Sequence, residues 1–151
     1  MNSILSVSPE VGFRLWLGVQ YREMTETHAV VAIALDGEKR NVRGVAHGGI
    51  VASLIDIAMG TAASGGNYLT RSRLVVTLEM KVNYLAPADG DELVAVADVV
   101  HSGSRTTVVR CEVRNCRGQT CAIGLGTFIV RRPHGNDPDH FRKNSTPDDG
   151  I

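Results

Sequence analysis

Ile50-Val51-Ala52-Ser53-Leu54-Ile55-Asp56-Ile57-Ala58-Met59-Gly60-Thr61-Ala62-Ala63 is the stretch on which the fold turns. It is too long for an ordinary strand, and the alanines spread through it favour a helix. The run is apolar nearly all round, so the predicted helix is buried in the body of the protein rather than laid on its surface. Between Gly44 and Thr70 the single formally ionised side chain is Asp56. Ala46-His47-Gly48-Gly49 leads into the run, and the turn-forming cluster Gly65-Gly66-Asn67 closes it.

Short strands flank the helix on both sides. Upstream, residues 19–25 and 29–35 read as a hairpin joined around Glu26-Thr27-His28. Before them Ser8-Pro9-Glu10 reads as a helix start, with Ser8 as N-cap and Pro9 in the first helical position. Phe13, Trp16 and Leu17 then share one face of a short helix. Downstream, Val76, Leu78, Met80, Val82 and Tyr84 alternate with Val75, Thr77, Glu79, Lys81 and Asn83, a period of two. Pro87-Ala88-Asp89-Gly90, Ser102-Gly103-Ser104 and Asn115-Cys116-Arg117-Gly118 are turns that separate three more strands, 93–101, 106–115 and 120–130. In the last strand Ala122, Gly124 and Gly126 leave one face nearly bare. Something bulky must lie against it, the central helix or a neighbouring subunit. The result is an α+β fold, an antiparallel sheet wrapped around one long central helix. The sheet's other face, or an edge, is left for another copy to cover, so an oligomer is expected.

The chain has 151 residues, 43% apolar and 21% charged, the mixture of one ordinary globular domain. Residues 1–17 are a segment carrying the short helix and 18–132 the domain. Residues 133–151 hold three of the five prolines and only Phe141 and Ile151 as large apolar side chains, which predicts a disordered tail. Sixteen Lys and Arg balance sixteen Asp and Glu, so no global field gathers nucleic acid or anionic membrane. No run approaches the roughly 18 apolar residues of a membrane span. The first positive side chain is Arg14, so no secretory signal is expected. Cys111, Cys116 and Cys121 are odd in number and lack a C-x-x-C pair, which fits reduced thiols in a cytoplasmic protein.

Chemistry concentrates at the helix. Gly48 and Gly49 stand at its amino end, where amides point outward at the positive end of the dipole and a ligand can approach the backbone closely. That is a site for an oxyanion developing on a carbonyl; alternatively, the glycines only permit a tight turn. Asp56 is costly in an apolar helix unless paired or facing a wet cavity, since positions 52, 53, 59 and 60 offer no cation. It is a general base or nucleophile, or a carboxylate satisfied by hydroxyls and amides. Gly48 and Asp56 are separated by roughly 12 Å along the axis at 1.5 Å per residue. If both act on one carbonyl, two antiparallel helices must supply one each, and a twofold dimer carries two sites at its interface.

Asn-x-x-Gly-x-x-His-Gly-Gly, from Asn41 to Gly49, with Asp56 nine residues after His47, resembles the acyl-CoA thioesterases of the hotdog superfamily. The likeness is to the phenylacetate-degradation (PaaI-like) branch. It runs from about Gly18 to Val130, and takes in Tyr84-Leu85-Ala86-Pro87 and the Gly90-Asp91-Glu92 turn. The resemblance implies that the Gly48 amide binds the thioester oxygen, and that Asp56 of the partner subunit activates water or attacks the carbonyl. It implies that Asn41 and His47 position water and thioester. Thr77, which falls on the polar face of its strand, matches a hydroxyl near the nucleophilic water. It also implies a tetramer built as a dimer of dimers, with no metal or other cofactor.

His47 has a structural reading beside this one, its imidazole bonding a backbone carbonyl, and Asn41 a turn-forming one. The negative charges of CoA need cations at the site mouth; Arg73, Arg105 and Arg131-Arg132 are candidates, with Ser104 and Gly49 beside them. Cys111 and Cys121 read as core thiols. Two other functions stay open: a non-catalytic acyl-CoA sensor, against which stands the lack of room for a DNA-binding domain, and a hotdog dehydratase or hydratase. The apolar Leu54, Ile57 and Met59 suit aromatic and medium aliphatic acyl groups alike.

Overall fold

The computed structural model describes residues 12–65 and 73–131. Within them lie α1 (Phe13–Leu17), β1 (Gln20–Met24), β2 (His28–Ala34), a 3-10 turn at Gly37–Lys39, α2 (Gly48–Ala63), β3 (Leu74–Tyr84), β4 (Glu92–Ser102), β5 (Thr106–Asn115) and β6 (Thr120–Arg131). The expected helix start at Ser8-Pro9-Glu10, the Gly66-Asn67 part of the turn cluster and the tail 133–151 lie outside the described residues. Among the described residues no helix is long and apolar enough to cross a membrane.

Six strands form one antiparallel sheet in the order β1-β2-β4-β5-β6-β3. Their inward side chains are mostly small or β-branched: Val31, Ile33, Ala95, Ala97, Val109 and Val113 are all fully buried. A surface of that shape receives α2, whose Leu54, Ile55, Met59 and Ala62 are equally buried. The bare stretch of β6 is where the helix comes closest. A Cβ built on Gly124 would stand 2.6 Å from Ile55 Cγ2, and one on Gly126 2.9 Å from Met59 Cε. Of the two occupants expected there, the central helix is the one found.

Two expectations need correction. The alternation along β3 does not run unbroken: the register against β6 shifts between Thr77 and Glu79. A bulge there lets one residue go unpaired and reverses which face the following residues take. Val75, Met80 and Val82 therefore pack on the core together, and Thr77, paired with the buried Phe128, faces α2 rather than the polar side. In α1 only Leu17 is buried. Phe13 and Trp16 stack on each other at 5.9 Å and stay about half exposed, so they do share a face, but one turned to solvent.

β3 lies at the sheet's edge, hydrogen-bonded on one side only, with Val76 and Leu78 more than half exposed. Such an edge offers unpaired N–H and C=O groups to another strand. The sheet's outer surface also exposes Ile123 and Leu125.

Candidate active site

A helix leaves its first amides without intrahelical acceptors. In α2, Gly49 N–H donates to Nδ1 of His47 at 3.0 Å, and the Ile50 and Val51 amides donate to the His47 carbonyl at 2.9 and 3.2 Å. His47 is the N-cap, in an extended conformation, and its Nδ1 bonds a backbone amide rather than the carbonyl expected of it. Its capping bond requires an unprotonated Nδ1, which fixes the proton of the neutral ring on Nε2. This leaves the Gly48 N–H as the amide of the first turn for which no acceptor is found among the described residues.

The segment before the helix is anchored so that this amide keeps its place. The buried Lys39 ammonium donates to the Ala34 carbonyl and to Asp36, while its own carbonyl accepts the His47 N–H at 2.8 Å. The Arg40 guanidinium binds the carbonyls of Leu35, Gly44 and Gly90. Asn41 serves the turn: its side-chain oxygen accepts the Arg43 amide at 2.9 Å, and its carbonyl accepts the Gly44 amide.

The sheet covers most of α2 but leaves one stripe open. Gly49 is exposed and Ala52, Ser53 and Asp56 are half-buried, positions spaced three and four apart on one helix face. Asp56 thus faces the open side and is not locked in the core. Its Oδ1 accepts a 2.8 Å hydrogen bond from the Thr77 hydroxyl, the side chain that the β3 bulge turns toward the helix. No cation is paired with Asp56 among the described residues. The carboxylate has a hydroxyl to orient it and no cation to quench it, an arrangement suited to accepting a proton.

The arrangement therefore has an unpartnered amide at a helix amino end and an oriented, solvent-facing carboxylate two turns along. The thioesterase superfamily profile matches residues 43–122, which include Gly48, Asp56, Thr77 and Tyr84. The chain belongs to the thioesterase superfamily. A "Putative esterase" of Archaeoglobus fulgidus is 32% identical over 112 residues, covering 74% of this chain and 70% of that protein. The medium/long-chain acyl-CoA thioesterase YigI of Escherichia coli is 27% identical, over 58% of this chain and 64% of the relative. Among solved structures, the PaaI protein from the Escherichia coli phenylacetic acid degradation operon superposes with a TM-score of 0.70 at 29% identity, covering 81% and 84% of the two chains. The sheet wrapped on one helix is the hotdog fold of these enzymes, and this thioesterase is a hydrolase of thioesters.

The expected cation cluster lies elsewhere in the thioesterase. Leu74 pairs with Arg131, and the Val130 amide donates to the Arg105 carbonyl, so Arg73, Ser104, Arg105 and Arg131 gather where β3 begins. Arg73, Ser104 and Arg105 are exposed. Gly48 lies against Tyr84, where β3 ends, roughly 33 Å away at 3.3 Å per residue. Within one chain these positions lie far from Gly48. Two polar groups at the site carried no role in the sequence reading. Ser53 Oγ donates to the Gly49 carbonyl at 2.7 Å, a contact readable from its i, i+4 spacing. Tyr84 Oη donates to the Gly48 carbonyl at 2.9 Å across a separation of 36 residues, for which no local pattern exists.

Proposed function

We propose that the chain hydrolyses an aryl- or medium-chain acyl-CoA to the free acid and CoA at sites shared between two subunits. The observation that carries this is the single helix bearing both the unpartnered Gly48 amide and, eight residues on, the Thr77-oriented Asp56. The thioester oxygen accepts the Gly48 N–H, and the helix dipole favours the negative charge that grows on it. Asp56 of the partner subunit takes a proton from water as the water oxygen attacks the carbonyl carbon. The C–S bond then breaks, CoA leaves as thiol after receiving the proton, and the acid is released. Direct attack by Asp56, with an anhydride that water later opens, uses the same geometry.

The exposed β3 edge supports the dimer. Antiparallel pairing of two such edges sets the Tyr84 end of one beside the Leu74 end of the other, so the partner's Arg73, Ser104, Arg105 and Arg131 come near Gly48 to meet CoA phosphates. The apolar Ile123 and Leu125 on the outer face support a dimer of dimers. His47 shapes the oxyanion site as its cap, Gly49 completes the turn, and Asn41 holds the loop before it. The three free thiols suit a cytoplasmic setting. The acyl-CoA assignment draws on the name of YigI, and the aryl option on the phenylacetic acid degradation operon of PaaI.

The test is hydrolysis of a panel of aryl- and alkyl-CoA thioesters by wild type and Asp56→Asn, followed by loss of thioester absorbance. Turnover that vanishes in the variant supports the reading and narrows the acyl group. Tight acyl-CoA binding without turnover by wild type favours a sensor instead.

A further inference from the structure

The peptide group that joins Gly48 to Gly49 is gripped at both ends by side chains from outside the helix. Its N–H donates to His47 Nδ1 at 3.0 Å, and its carbonyl accepts the Tyr84 hydroxyl at 2.9 Å. The Tyr84 ring also lies along Gly48: three of its atoms stand 3.6 Å from where a Gly48 Cβ would be. Tyr84 is 56% exposed, so burial does not fix it; the hydroxyl contact and the ring contact do.

Two adjacent glycines form the least constrained entry a helix can have, because neither side chain restricts the backbone. Holding the plane of the 48–49 peptide sets the ψ angle of Gly48. The Ile50 and Val51 amides hold the carbonyl of the preceding peptide. Between these constraints the direction of the Gly48 N–H is left with little freedom. A donor so fixed stabilises charge as it develops without reorganising at that moment.

We infer that Tyr84 is a positioning residue for the Gly48 amide, its hydroxyl holding the peptide that follows the donor and so limiting rotation at Gly48. This rests on the reading above, in which that amide receives the thioester oxygen. Tyr84 reaches the site from the far end of β3, so the strand that presents Thr77 to Asp56 also presents Tyr84 to Gly48. A change in β3 would then act on both halves of the machinery.

The test is Tyr84→Phe, which keeps the ring contact and removes the hydroxyl. With phenylacetyl-CoA, kcat falls about tenfold while KM stays within about twofold, because the donor's aim matters more in the transition state than in the ground state. Benzoyl-CoA bound to the inert Asp56→Asn protein shows a carbonyl stretch lowered in frequency relative to free thioester, and adding Tyr84→Phe moves it back toward the free value. An unchanged kcat overturns the inference. So does a raised KM at constant kcat, which would make Tyr84 a substrate contact. If wild type hydrolyses no thioester, the reading of the site fails by itself. The carbonyl frequency still decides the role of Tyr84: the same value with Tyr or Phe at this position overturns it.

Discussion

The Thr77 hydroxyl on β3 donates to Oδ1 of Asp56 on α2 at 2.8 Å, tying the strand to the one carboxylate of the central helix. One carboxylate oxygen is thereby committed, and no partner is found for the other among the described residues. Asp56→Asn and Asp56→Ala are expected to slow thioester turnover by about 10²-fold or more through loss of base catalysis. Thr77→Val removes only the orienting bond and is expected to cost about tenfold, with Thr77→Ser close to wild type. Steady-state kcat on the best substrate of the panel is the measurement. Near-wild-type rates in both Asp56 variants would remove Asp56 from the chemistry.

What the sequence disclosed and what it hid divide along a physical line. The helix, the four strands after it and the small face of β6 come from local periodicity and composition, and all are present. The face on which Thr77 sits depends on a β-bulge, and unbroken alternation across residues 75–84 gives no hint of one. The solvent-facing Phe13–Trp16 stack shows that helical spacing assigns neighbours, not burial. That His47 caps the helix is not legible in the sequence, because histidine is not a usual N-cap and the ring accepts an amide N–H where a carbonyl contact is expected. The Tyr84 contact spans 36 residues and is visible only once the sheet has curled around the helix.

Close approach of α2 to β6 predicts a graded stability effect. A Cβ at Gly124 meets Ile55 Cγ2, a branched atom fixed near the backbone, at 2.6 Å. At Gly126 the closest contact, 2.9 Å, is to the flexible end of Met59, with the Glu79 carbonyl oxygen next at 3.2 Å. Gly124→Ala is expected to destabilise by about 1–3 kcal/mol through overpacking, and Gly126→Ala by less. Urea unfolding midpoints give the order; equal midpoints for Gly124→Ala and wild type would contradict the packing.

Acid should loosen the fold in a defined direction. Hydrogen bonds from Lys39 to Asp36, from Arg117 to Asp89, and from Arg114 to Glu112 hold all three carboxyls below their usual range. Each carboxylate is favoured in the folded state, so its contribution is full above the unfolded pKa of about 4 and is lost as pH falls through the lower folded value. Tm is therefore expected to decline progressively below about pH 5. Asp89→Asn should flatten part of that decline in a calorimetric series. A slope identical to wild type would mean that the Arg117 pair contributes nothing measurable.

The thiols separate by environment. Burial, with Asp98 and Glu112 nearby, pushes the Cys111 thiol up to about 12, and burial raises Cys121 as well, while Cys116 is exposed. Since the thiolate is the nucleophile, a disulfide dye at mild alkaline pH is expected to label Cys116 rapidly and the other two only after unfolding. Mass mapping of the labelled peptide identifies the site. Fast labelling of Cys111 in the native protein would show that β5 opens readily.

A site shared between subunits predicts complementation. Gly48→Pro removes the N–H that would receive the thioester oxygen, and the first helical position after an extended residue accepts proline. A Cβ at this position makes only ordinary contact with Tyr84, at 3.6 Å. Gly48→Pro and Asp56→Asn are each expected to be inactive alone. In a mixed dimer one site unites the intact Gly48 of one chain with the intact Asp56 of the other, and the second site has neither. Random co-assembly makes half the dimers mixed, each with one of its two sites whole, so about a quarter of wild-type activity should return. Activity that stays absent after co-expression, with mixed dimers demonstrated by differential tags, would mean that Gly48 and Asp56 do not meet across a subunit boundary.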